Sequence, residues 1–226
     1  MVDIAERLLE IKSKLPQRVK LVAVSKRQPY ERIEAAYNAG HRIYGENIVQ
    51  ELVKKYDHFP KDIEWHMVGH LQKNKVKYIV PFISLIHSVD NFDLAKEIDK
   101  RAKKNNRIID CLLEIHIAEE KSKFGFKQNE LMEELEKNDW KKIFPNLRIR
   151  GLMTMATNTD NIKQIRKEFA SVRKLFEELK KTYFLQEEYF SELSMGMSND
   201  YEIAIDEGST IVRLGTIIFG ERLPKK

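Results

Sequence analysis

Lys26 closes an apolar run, LVAVS, and at the rim of an apolar enclosure its ammonium would be poorly solvated. Poor solvation favours the neutral, nucleophilic amine, and such an amine can form a Schiff base with an aldehyde. A lysine that opens the loop KRQPY and points to water fits the same residues. Arg213 sits between Val212 and Leu214 in a second apolar run, and its guanidinium stays charged wherever it points. It needs an acceptor, either a neighbouring acid or a ligand atom that must remain unprotonated. SMGMSND (194–200) and RLGT (213–216) are rich in small residues that let backbone N–H groups approach an anion. The hydroxyls of Ser194, Ser198 and Thr216 add donors to the same segments.

Other combinations carry less chemistry. His66 and His70 are four apart, but WHMVGH lacks the glutamate of HExxH and its Val-Gly spacer suits a strand end better than a helix, so no metal is expected. Met153, Met155, Met195 and Met197 read as apolar fillers around a barrel mouth. The single Cys111 lies in an apolar run and has no second cysteine to pair with, which fits a reducing cytoplasm.

The elements that must position these residues alternate. Eight runs read as strands: 19–26, 41–46, 63–69, 82–89, 107–117, 147–155, 189–196 and 210–220. Several are almost continuously apolar, as strands buried on both faces of a parallel sheet are. Between them lie helical spacings. The clearest covers 160–181, with Ile162, Ile165, Phe169, Val172, Phe176 and Leu179 on one stripe. A second follows Asn91 with Leu94, Ile98 and Ala102, and a third follows Pro29. This order predicts an α/β fold, a single (β/α)8 TIM-type barrel with an extra N-terminal helix, against an open doubly wound sheet as competitor. In a barrel the site lies at the C-terminal strand ends, and those ends are polar: Ser25 and Lys26; Glu46 and Asn47; His66 and His70; Ser88; Glu114 and His116; Thr154; Ser194, Ser198 and Asn199; Arg213, Gly215 and Thr216. Phosphate sites in barrels commonly follow strands seven and eight, where SMGMSND and RLGT fall.

A chain of 226 residues, 42% apolar and without a Pro/Gly/Ser-rich linker, predicts one domain over 1–226. Its 40 basic and 35 acidic residues are interleaved, which argues against a nucleic-acid partner, since phosphate-backbone binders cluster their basic residues. The N-terminus, with Asp3, Glu6 and Glu10, reads as a soluble amphipathic helix and not a secretory signal. The apolar stretch 78–86, broken by Pro81, is far below the roughly 20 residues of a membrane span, so no membrane residence is expected.

AVSK (23–26), GENIVQE (45–51), WHMVGHLQKNK (65–75), HSVD (87–90), GLMTM (151–155) and LSMGMSNDYEIAIDEGSTIVRLGTIIFGER (193–222) resemble the pyridoxal-phosphate homeostasis protein family, in the family's order and over most of the chain. Members are single barrels similar to the N-terminal domain of alanine racemase and of bacterial-type ornithine decarboxylase. The resemblance implies that Lys26 forms the internal aldimine with pyridoxal phosphate and that Arg213 faces the pyridine nitrogen. It further implies that Asn47, Met153 and His70 line the cofactor pocket, and that Ser194, Ser198, Gly215 and Thr216 cradle the phosphate.

The function so implied is a cytoplasmic monomer that holds pyridoxal 5'-phosphate, buffers it and hands it to apoenzymes with little or no catalysis. The alternative is a racemase or decarboxylase. Against it, two-base racemisation needs a second proton-transfer group, which the racemases take from an additional domain, and the sequence ends with the barrel. A third class, a phosphosugar-type barrel enzyme, would keep the phosphate site and leave Lys26 as a base or ion-pair partner.

Overall fold

The computed structural model describes residues 3–119 and 124–221. Its eight strands are β1 Lys20–Val24, β2 Ile43–Glu46, β3 Glu64–Met67, β4 Leu85–Val89, β5 Ile109–Ile115, β6 Leu147–Thr154, β7 Glu192–Ser194 and β8 Ile211–Leu214. They pair in parallel in sequence order, and β8 closes on β1 through Leu21↔Val212 and Val22↔Arg213. The barrel expected from the alternation is the fold, and the open sheet is excluded.

Around it run α1 Ile4–Lys14, α2 Tyr30–Asn38, α3 Val49–His58, α4 Val76–Ile79, α5 Phe92–Lys104, α6 Gln128–Lys137, α7 Trp140–Ile143, α8 Ile162–Thr182, α9 Tyr201–Asp206 and α10 Thr216–Phe219. Side-chain caps set several starts: Asp3, Asn91 and Asn161 accept from the backbone N–H of Ala5, Leu94 and Gln164. The α8 stripe buries Ile165, Phe169, Val172 and Leu179 as its spacing predicts, while Ile162 at the first turn is 60% exposed.

Successive side chains on each strand alternate between the lumen and the helices. Leu21, Ala23, Cys111, Leu113, Val212 and Leu214 join the large outer core, whereas Val22, Leu112, Met153 and Ile211 belong to a separate inner cluster. Burial of Cys111 in the outer layer pushes its thiol far above the usual range, which leaves it unreactive.

Two differences from the sequence reading have local causes. TIVRLGTIIFG, expected as one strand, divides: β8 ends at Leu214, and the remaining apolar residues wind into α10, where Phe219 N–H reaches the Gly215 carbonyl at 2.9 Å. A continuous apolar run does not distinguish a buried strand from a buried helical turn. The second is a register shift in β6, where Cys111 pairs with Ile149 and Leu112 with Gly151, so that Arg150 is the extra residue of a bulge. Gly151 takes φ +148 there, and a Cβ on it would stand 1.8 Å from the Glu192 carbonyl oxygen, so the GLMTM segment can enter the β6–β7 ladder only with glycine.

Candidate functional site

The C-terminal strand ends enclose a cavity of about 890 Å3. Lys26, Asn47, Ser198, Arg213, Gly215 and Thr216, six of the residues expected at the site, line it. Lys26 stands half-buried after the end of β1. Gly215 lies close against that end, since a Cβ on it would be 3.1 Å from the Val24 carbonyl oxygen, and this brings the loop after β8 beside the lysine. Asn47 leans over Gly69, whose missing side chain leaves room for it: a Cβ there would be 2.7 Å from the Asn47 Cα. The Asn47 Oδ1 is buried and has no hydrogen-bond partner.

The other three expected residues sit elsewhere. Met153 is 1% exposed in the inner apolar cluster, and Met155, two residues on and facing the same way, lines the cavity instead. Ser194 is fully buried in the lumen. His70 is not among the lining residues: its ring stacks on Phe124 with centroids 3.6 Å apart, and its Nδ1 lies 2.9 Å from Asp90 Oδ2.

Arg213 reaches the cavity from inside the barrel. Its Nη1 donates to Ser194 Oγ at 2.6 Å and its Nη2 to the Thr154 carbonyl at 2.8 Å. Burial lowers its pKa to about 10, against the opposing charges of Asp200 and Glu114, so the guanidinium remains a cation. Beyond it a polar row crosses the lumen: Ser194 Oγ lies 3.0 Å from His87 Nδ1, and His87 Nε2 lies 3.0 Å from His66 Nδ1. The guanidinium fills one acceptor site of Ser194 Oγ, and the His87 tautomer sets the direction of the two remaining bonds in the row. His66 therefore pairs across the lumen with His87 and has no metal-site geometry with His70.

Burial holds these imidazoles neutral, with His66 lowered to about 3 and His87 also lowered, and it lowers His41 at the other end of the barrel to about 4. The unfolded chain takes up these protons first, so each histidine removes stability as pH falls below about 6.5. Burial acts oppositely on Glu46 and Glu114, both raised to about 7, which favour the folded chain as pH falls from 7 towards about 4.5. Three histidines outweigh two glutamates. The melting temperature is expected to fall from pH 6.5 to 4.5 and more steeply below, where the glutamate contribution is spent. Melts across that range that stay flat or rise would contradict this balance.

The sequence profile of "Alanine racemase, N-terminal domain" matches residues 2–223. The "Pyridoxal phosphate homeostasis protein" of Aquifex aeolicus (strain VF5) is 45% identical over 204 residues, covering 90% of this chain and 87% of that protein. The chain belongs to the pyridoxal phosphate homeostasis protein family. Among solved structures, PipY of Synechococcus elongatus PCC7942 is 37% identical, and the alignments cover 96% of this chain and 100% of that one. The TM-score is 0.89 for PipY without PLP and 0.87 for PipY with PLP bound.

This family member's cavity also contains residues that motif reasoning passed over. Gln28 lines it two positions beyond Lys26. Asp200 closes the SMGMSND loop by accepting from the Met197 N–H at 2.6 Å, and it lies near enough to Arg213 to support its charge. Gly196, read from sequence as room for an anion, instead lets that loop meet α9, since a Cβ there would be 2.7 Å from Ala204 Cβ. Met155, read from the sequence as an apolar filler at the barrel mouth, does line the cavity; nothing in the sequence marks Gln28.

Proposed function

We propose that this chain binds pyridoxal 5'-phosphate in the 890 Å3 cavity and serves in its intracellular homeostasis, holding the cofactor in the cytoplasm as a monomer and releasing it to apoenzymes. The observation that carries this reading is the convergence of Lys26 and Arg213, from β1 and β8, on one cavity that also presents Ser198, Gly215 and Thr216. The donor set fits the group: two cations and two hydroxyls suit an anionic phosphate and an aromatic nitrogen acceptor, and the orphaned Asn47 Oδ1 can accept from a hydroxyl. Relatives named for pyridoxal phosphate homeostasis, and PipY with PLP bound, support the same assignment.

Bound there, pyridoxal phosphate would supply an aldehyde, an electrophile that a neutral amine can attack. Lys26 supplies that amine. Arg213 would donate to the ring nitrogen and, having no proton to give up near neutral pH, would leave that nitrogen unprotonated, which would weaken the ring as an electron sink. Ser194 and the Thr154 carbonyl hold the guanidinium in place. These features favour retention over turnover.

Incubated with pyridoxal phosphate and then freed of unbound cofactor, the protein should keep a visible absorbance band, and borohydride should abolish it and leave a reduced pyridoxyl group on the peptide containing Lys26. With each common amino acid, turnover should stay far below the roughly 1 to 1000 per second of ordinary enzymes. A missing band would refute Lys26 as the amine that takes the aldehyde. A kcat in the ordinary range would replace the homeostatic reading with a racemase or decarboxylase.

A further inference from the structure

Lys55 occupies the inner face of α3, three residues beyond Leu52, where the helical stripe calls for an apolar side chain, and it is 1% exposed. A buried ammonium is tolerated only with acceptors around it. Lys55 Nζ donates to the Ser25 carbonyl at 2.7 Å, to Glu46 Oε1 at 2.6 Å and to Glu51 Oε1 at 2.8 Å. Both carboxylates then reach the loop that follows β1. Glu46 Oε1 accepts from Ser25 Oγ at 2.5 Å, and Glu51 Oε1 accepts from the Arg27 backbone N–H at 2.6 Å. The residues on either side of Lys26 are thus tied to one ammonium and its two carboxylates, none of which lines the cavity. Arg27 has φ +58, a conformation that non-glycine residues keep only where the surroundings impose it. A well-packed apolar cluster could fill the same space without desolvating charge. What the ionic cluster adds is direction: three bonds aimed at the backbone and hydroxyl of a two-residue frame.

We infer that Lys55, acting with Glu46 and Glu51, is a positioning residue that fixes the backbone of 25–27 and thereby sets where the Lys26 amine stands in the cavity. The inference rests on the reading of Lys26 as the amine that takes the aldehyde. Reactions of this kind are sensitive to placement, a shift of about 1 Å costing up to about 100-fold in rate.

Lys55→Met alone strands Glu46 in the interior and threatens the fold, so the informative variant is Lys55→Met with Glu46→Gln, which removes both charges of the buried pair. Three quantities are compared with the unsubstituted protein: the melting temperature, the affinity for pyridoxine 5'-phosphate, which carries an alcohol in place of the aldehyde, and the rate at which the visible band grows with saturating pyridoxal phosphate. The expected result is alcohol binding within about 2-fold of the unsubstituted protein and band formation slower by about 10-fold or more. An unchanged rate would overturn the inference. A melting temperature and alcohol affinity that fall together with the rate would overturn it too, by showing that the cluster only supports the fold. If the unsubstituted protein forms no borohydride-sensitive band, the reading of Lys26 itself falls, an outcome that the variant does not enter.

Discussion

Lys26→Ala is expected to abolish the visible band formed with pyridoxal phosphate and to leave the fold intact. β1 ends at Val24, and Lys26 is half-buried in the cavity wall outside both apolar clusters, so truncation opens no void in either core. The loop is held through its neighbours: the Ser25 carbonyl accepts from Lys55 and the Arg27 N–H donates to Glu51. Binding should weaken without vanishing. One lost charge-assisted contact is worth about 1.5–3 kcal/mol, roughly 10- to 100-fold in affinity, and loss of the covalent link adds to that. The donors at Ser198, Thr216 and Arg213 do not depend on the lysine. Lys26→Arg provides the companion, since it keeps a cation at the site and removes the nucleophile; it too should give no band, while binding the phosphate ester more tightly than Lys26→Ala. A borohydride-sensitive band that persists in either variant would mean that another amine takes the aldehyde.

The site was legible where chemistry coincides with the end of an apolar run. Lys26 and Arg213 stand out because a permanent or reactive charge interrupts strands otherwise written for burial, and a closed parallel barrel leaves few places for such residues except its mouth or lumen. Depth along the barrel axis was not legible. Met153 and Met155 share one face of one segment, and the alternation alone does not say that Met153 lies in the inner cluster while Met155, past the end of β6 at Thr154, lines the cavity. The hydroxyl of Ser194 reads in the sequence as a donor to phosphate; in the lumen it instead accepts from the Arg213 guanidinium. Lys55 was invisible for a different reason. A lysine within the polar run QELVKKYDH reads as a solvated helix face, and only the opposition of Glu46 from β2 and the Ser25 carbonyl turns that position into a place for a buried cation.

Arg213→Glu is expected to have the second large effect, on binding and stability together, and Arg213→Gln separates the two. The guanidinium bonds Ser194 Oγ and the Thr154 carbonyl, and its charge faces Asp200 and Glu114. A carboxylate in its place offers no donor to the Thr154 carbonyl and adds a third acid to the pair already there, so it must take up a proton or repel both. Removing one partner of a buried charge cluster costs on the order of 3–5 kcal/mol. Arg213→Gln loses the charge yet keeps an N–H that can donate to the Thr154 carbonyl or to a ring nitrogen, so its loss in affinity should be nearer 10-fold than the 100-fold or more expected for glutamate. The contrast also has a pH signature. Near neutrality Glu114 is balanced by Arg213, and loss of that cation should raise the Glu114 pKa above its present value of about 7 in both variants. The larger difference between glutamate and glutamine should therefore appear at high pH, where the introduced carboxylate and its neighbours are all ionised, and shrink as pH falls. Titrations of pyridoxal phosphate into both variants at pH 6 and pH 8.5, read against melting temperatures taken without ligand, measure this directly. Equal affinities for the two variants at both pH values would show that Arg213 does not address the ring nitrogen.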